Sequence, residues 1–107
     1  GAWGMSGTDT AAAARMGLPI TTVLLNNGGM ATYPGGFPTA REQHDVSFME
    51  GDYAKITEGM GGVGLPVSKP EELGPAILRA RQLNDEGKTV LIDVKSNYES
   101  RKSFFGK

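Results

Sequence analysis

Three short apolar runs punctuate this chain, and between them the apolar positions recur at helical spacing. The runs are "ITTVLL" at residues 20–25, "VGLPV" at 63–67 and "TVLIDV" at 89–94. The first has no polar alternation after Thr22, a pattern that predicts a strand buried on both faces, as in parallel sheets. Ahead of it, Ser6-Gly7-Thr8-Asp9 fits a capping box, in which serine accepts from a first-turn amide and the carboxylate reaches back. The alanines at 11–14 continue that helix. Gly17 suits the position just past its end, and Pro19 blocks continuation. Residues 52–60 predict a short helix with Tyr53, Ile56 and Met60 on one face, stopped by Gly61-Gly62. A second capping box, Ser68 with Glu71, places Pro70 in the first turn, where its missing donor costs nothing. The helix it opens runs to about Asp85, buries Leu73, Ile77, Ala80 and Leu83, and ends at Gly87.

The order is therefore helix, strand, loop, helix, strand, helix, strand. Helices alternating with apolar strands predict an α/β fold with a mostly parallel sheet. The chain opens directly on a helix, with no strand before it. Residues 28–43, rich in glycine and proline, read as a long loop, and long structureless loops are usually functional. Residues 98–107 read as a polar tail that includes Arg101, Lys102 and Phe104-Phe105.

Composition narrows the function classes. With 107 residues the chain is one domain or part of one, and 38% hydrophobic with 21% charged residues is ordinary for a globular protein. A net charge of −1 provides no field for nucleic acid or acidic lipid, so neither is expected as a partner. No run approaches a membrane span and no signal peptide is visible, which makes the cytoplasm the expected location. The absence of cysteine excludes disulfides and thiolate metal sites. Sixteen glycines are about twice ordinary usage. They cluster at the ends of periodic segments, where backbone turns sharply or approaches something closely.

The chemistry concentrates in "VLLNNGGMATY", residues 23–33. Read locally, Asn27-Gly28 is a hairpin turn. That reading needs a partner strand just after it, and Pro34-Gly35-Gly36 breaks the candidate. In a parallel sheet, by contrast, ligands bind beyond the carboxyl ends of the strands, where residues 26–29 must lie. A side-chain amide oxygen there, beside a glycine whose carbonyl an ion can approach, makes a set of hard oxygen donors suited to Mg²⁺ or Ca²⁺.

The segment "GAWGMSGTDTAAAARMGLPITTVLLNNGG" closely resembles the cofactor motif of thiamine-diphosphate-dependent enzymes. That motif is Gly-Asp-Gly, a spacer of roughly two dozen residues, then Asn-Asn. If Gly1 stands for its last glycine, residues 2–25 form the spacer, and the length fits. "GDYAKITEGMGGVG", "KPEELGPAILRA" and "GKTVLIDV" are similar to the remainder of the diphosphate-binding domain in the acetolactate-synthase-like and oxalyl-CoA-decarboxylase-like group. The resemblance implies a truncated three-layer domain over residues 1–97, with helices flanking the sheet. It implies thiamine diphosphate and Mg²⁺ as cofactors. Asn27 would give its side-chain oxygen and Gly29 its backbone carbonyl to the metal; Gly1 and Ala2 would point N–H groups at the diphosphate. A glycine-led turn into a helix N-terminus suits an anion. Trp3 joins the cofactor pocket, Met5 is assigned to the core, and Asn26 to tying down the loop. No residue here is assigned a catalytic role.

The chain departs from the family pattern at its start. The metal-binding aspartate would precede Gly1, and the strand leading into the motif is absent. So is the pyrimidine-binding domain with its activating glutamate. Gly1 is either native or left by tag removal. The resemblance thus implies a C-terminal piece of a longer lyase or transferase acting on a 2-oxo acid or acyl-CoA, itself inactive and binding cofactor weakly or not at all. Its expected partners are the missing domains and a partner subunit, and an exposed sheet edge favours a homo-oligomer. The alternative is a stand-alone, non-catalytic α/β module for binding or assembly.

Remaining candidates have ordinary readings. Residues 59–64 match G-x-G-x-x-G, but they follow a helix and enter a strand, the reverse of the dinucleotide fingerprint, so helix-ending glycines explain them. His44, the sole histidine, reads as a solvated loop residue. Tyr33 and Arg41 border the metal motif as candidates for substrate or interface contacts.

Overall fold

The apolar runs become the three strands of one parallel sheet. The computed structural model describes residues 1–30 and 36–97. In chain order the elements are α1 (Ala2–Ser6), α2 (Asp9–Arg15), β1 (Thr21–Asn26), α3 (Pro38–His44), α4 (Tyr53–Gly59), β2 (Val63–Val67), a 3₁₀ turn (Pro70–Glu72), α5 (Leu73–Asp85) and β3 (Val90–Lys95). The strand order is β1-β3-β2. Val23, Ile92 and Leu65 lie level across the sheet and share one face.

That face is covered by α5. Leu73, Ala76, Ala80 and Leu83, three or four residues apart, pack on Val67, Val90 and Ile92. The opposite face carries α2 and α4, giving three layers. There Gly64 lets the sheet touch the Ala54 backbone of α4; a Cβ at Gly64 would collide with that backbone. The three helices that feed strands close alike. Gly17, Gly61 and Gly87 take positive φ (64°, 90° and 78°). The next amide in each case, of Leu18, Gly62 or Lys88, reaches back to the carbonyl of Ala13, Thr57 or Leu83. This is the Schellman closure.

Several expectations need correction. The first capping box does not form: Ser6 ends α1, which starts already at Ala2, and Thr8 precedes α2 without a side-chain bond. At the second, the Ser68 hydroxyl donates to the Glu72 carboxylate (3.2 Å), and the 3₁₀ turn intervenes before α5. Within the supposed loop 28–43, Pro38 opens α3, because a proline at the first helical position gives up only an amide that has no helical partner. The buried residues of α4 are Ala54 and Thr57, since its close approach to Gly64 admits only small side chains; Ile56 is exposed. Ile77 of α5 is exposed too, because it lies beyond the edge of the stripe over β2 and β3.

Burial on both faces holds for the central strand, where four consecutive residues from Val90 are buried. It fails for β1, which is an edge strand: Val23 is 50% and Leu25 70% exposed. Among the described residues no helix is long and apolar enough to cross a membrane. Residues 31–35, with Tyr33, and the tail at 98–107, with Arg101 and Lys102, lie outside the described residues.

The helix–sheet contact at Gly64 is testable. Gly64→Ala forces backbone apart, and we expect a loss of about 1–3 kcal/mol or more in urea unfolding. An unchanged midpoint would show that the layers have slack there.

Candidate functional site

Parallel pairing of β1 with β3 carries Asn26 and Asn27 to the carboxyl rim of the sheet. Asn26 points inward and is buried. Its Nδ2 donates to Asp93 Oδ1 of β3 (2.9 Å), and its Oδ1 accepts the Gly28 amide (3.2 Å). Asp93 Oδ2 accepts the Tyr53 amide at the start of α4 (3.2 Å). Asn26 therefore ties down the loop, as its position suggested. Asn27 Oδ1 accepts the Gly29 amide (3.1 Å), closing a small side-chain turn.

No hairpin follows. The backbone at Gly28–Met30 pairs instead with the distant segment 47–49. The Met49 amide donates to the Gly28 carbonyl (2.9 Å) and the Met30 amide to the Ser47 carbonyl (2.8 Å). Arg41 steadies that segment through Nε to the buried Ser47 hydroxyl (2.7 Å). This contact is within the fold, and Arg41 does not line the cleft described next.

Helix α1 lies opposite the loop. Gly1 caps it, and the amides of Ala2 and Trp3, its first two residues, donate to no acceptor among the described residues. A Cβ on Gly1 would rest 3.5 Å from Met30 Cβ. Trp3 packs edge-on against Tyr53, with centroids 5.1 Å apart and rings at 73°. Tyr53 in turn donates its hydroxyl to the Met49 carbonyl (3.0 Å). Gly7 sits directly beneath the Trp3 ring. Met5, expected in the core, is 84% exposed: the α1 side chain facing the fold is Trp3, two residues earlier.

Between α1, the loop and β1 lies an open cleft of about 610 Å³. Gly1, Ala2, Trp3, Asn27 and Gly29 all line it. The Asn27 amide thus bends back on its own loop and still borders the opening in front of Gly1. His44 is exposed at the end of α3, away from the cleft. The glycines at 59–64 end α4 and enter β2, as read from the sequence.

None of the side chains lining the cleft is charged. On one side are the amides of Ala2 and Trp3, unbonded among the described residues. On the other are the Asn27 side-chain oxygen and the Gly29 carbonyl, which accepts no hydrogen bond among the described residues. No carboxylate lines the cleft, and no cluster of three His, Cys, Asp or Glu is placed to hold a metal among the described residues. A hard cation prefers anionic oxygen. This set therefore fits a divalent ion only together with a ligand that brings its own negative oxygens, and the amides opposite suit such an anion. The residue that sequence reading missed is Asp93, although a lone carboxylate inside "TVLIDV" was its visible signal.

Comparison with known proteins gives the family. Residues 1–94 match the family model described as thiamine pyrophosphate enzyme, C-terminal TPP binding domain. The acetolactate synthase large subunit of Corynebacterium glutamicum is 33% identical over 101 residues, covering 87% of this chain and 16% of that protein. Sulfoacetaldehyde acetyltransferases of Alcaligenes xylosoxydans xylosoxydans and Castellaniella defragrans are 29% and 30% identical, each covering 92% of this chain and 17% of the relative. The chain thus spans about a sixth of the length of the curated relatives it matches.

The Trp3 wall can be probed directly, because Trp3 is the sole tryptophan. A Cβ at Gly7 would lie 2.5 Å from the indole ring carbons. Gly7→Ala should displace the ring, red-shifting tryptophan emission and raising its quenching by iodide. Emission identical to the parent chain would mean that Trp3 does not rest on Gly7.

Proposed function

Because this chain belongs to the family of C-terminal TPP-binding domains of thiamine pyrophosphate enzymes, we propose that its cleft holds the diphosphate end of the cofactor together with Mg²⁺. In this reading the Ala2 and Trp3 amides, presented by the turn at Gly1, bind phosphate oxygens. Asn27 Oδ1 and the Gly29 carbonyl face the metal, and the diphosphate supplies the negative ligands that the protein side lacks. Trp3 excludes water from one wall. The observation supporting this is that all five residues, chosen from the sequence, border one cleft at the carboxyl rim of a parallel sheet.

When bound, thiamine diphosphate supplies a nucleophilic carbon and an electron sink for making or breaking a carbon–carbon bond beside a carbonyl. The residues of this chain contribute grip and orientation, with no proton-transfer role at the reacting carbon. The parent enzyme would act on a 2-oxo acid or an activated acyl group. Of the reactions considered, acyl transfer is favoured by the names of the relatives, a synthase and two acetyltransferases. Activation of the thiamine ring falls to domains outside this chain, so the chain alone is inactive. Residues 1–97 serve as the cofactor-binding part and 98–107 as an appendage.

Two outcomes test the reading. In ³¹P NMR, the chain should broaden the signals of thiamine diphosphate with Mg²⁺ saturably, with Kd weaker than about 0.1 mM, or less than about 5.5 kcal/mol. Asn27→Ala should abolish that broadening. Broadening that survives Asn27→Ala unchanged would defeat the residue assignment, whereas micromolar affinity would defeat the view that other domains supply most of the grip.

The second outcome concerns assembly. The unpaired edge and bare face of β1 recruit another strand, so sedimentation should reveal a dimer or larger species. A lone 11.3 kDa species would count against it.

A further inference from the structure

Asp93 is buried to 2% exposure in the middle of the sheet, between the apolar neighbours Ile92 and Val94. A buried carboxylate is costly unless its oxygens are hydrogen-bonded. Among the described residues it makes no ion pair; its partners are two neutral N–H groups. An aliphatic residue would serve the strand better. The two bonds show what the carboxylate does instead.

Both Asp93 oxygens accept, and Asn26 accordingly turns its Nδ2 toward one of them. That leaves Asn26 Oδ1 facing the Gly28 amide, which sets the peptide plane between Asn27 and Gly28. The other Asp93 oxygen holds the Tyr53 amide, and the Tyr53 ring supports Trp3 while its hydroxyl holds the Met49 carbonyl. Both walls of the cleft thus trace back to one carboxylate. Resting on the cofactor reading above, we propose that Asp93 is a positioning residue: through Asn26 it sets the loop that presents Asn27 and Gly29, and through Tyr53 it sets the wall that presents Trp3.

An exchange of side chains tests this in the full chain. In Asp93→Asn, the new amide can accept from Asn26 or from Tyr53 but meets the other with N–H against N–H. In Asn26→Asp, two carboxylates face each other. In the double variant N26D/D93N every bond returns with the polarity of the pair reversed. The amide nitrogen now at position 93 would donate to the carboxylate now at position 26, and the amide oxygen at position 93 would accept from Tyr53. The second carboxylate oxygen at position 26 would accept from Gly28.

The first readout is hydrogen exchange of the Gly28 amide, which needs no cofactor. The second is the ³¹P titration with thiamine diphosphate and Mg²⁺. Asp93→Asn should speed Gly28 exchange and weaken cofactor binding, each by about tenfold, and the double variant should recover both. Asp52→Ala serves as the control. It removes the other side-chain bond at the start of α4, to the Lys55 amide, and should lower the melting temperature without altering Gly28. Should Asp93→Asn fail to fold, Asn26→Ala keeps the Asp93–Tyr53 bond and must still release Gly28. Unmoved Gly28 exchange in the single variants, or a double variant as defective as Asp93→Asn, overturns the positioning role. Gly28 protection that is lost and recovered while cofactor affinity stays constant overturns the assignment of the loop to the cofactor instead.

Discussion

Parallel register between β1 and β3 is the constraint from which the site follows. Because the strands run the same way, their carboxyl ends share one rim, and whatever follows β1 emerges beside whatever ends β3. Asn26 therefore meets Asp93 across a strand boundary, although 67 positions separate them in the chain. An antiparallel arrangement would have put them at opposite ends. The cleft runs from that rim along β1, past residues 22–25, beside the α1 helix that packs its tryptophan against α4.

None of the side chains that line the cleft is charged. Backbone amides oppose amide and carbonyl oxygens, and each such group alone contributes modestly. In the proposed reading, the diphosphate and its cation would satisfy both walls together.

Much of the fold was legible because apolar runs and helix-ending glycines are local signals. The strands at 63–67 and 89–94 and the stops at Gly17, Gly61 and Gly87 needed no knowledge of tertiary partners. What escaped was decided by neighbours. Nothing in residues 20–25 says that β1 lies at an edge, so its two-sided burial was wrongly expected. Nothing in the spacing of 52–60 shows that Gly64 brings α4 in close and turns Ala54 and Thr57 inward. The α3 helix was hidden because its flanks, Phe37 and Asp45, adopt left-handed backbone that composition does not announce. Of the residues that line the cleft, Gly1, Ala2, Asn27 and Gly29 were named through the resemblance to a spaced motif and Trp3 through its place beside that turn, whereas Asp93, which is held by a cross-strand contact, was not named.

The three matching helix-to-strand joins divide the molecule into two unequal ends. At the amino rim each glycine closure leads into its strand within four residues, leaving no length to vary. At the carboxyl rim the connection that leaves β1 is longer, with α3 starting only at Pro38, and it borders the cleft. Length can therefore change in the segment that borders the cleft while the joins that align the strands stay fixed.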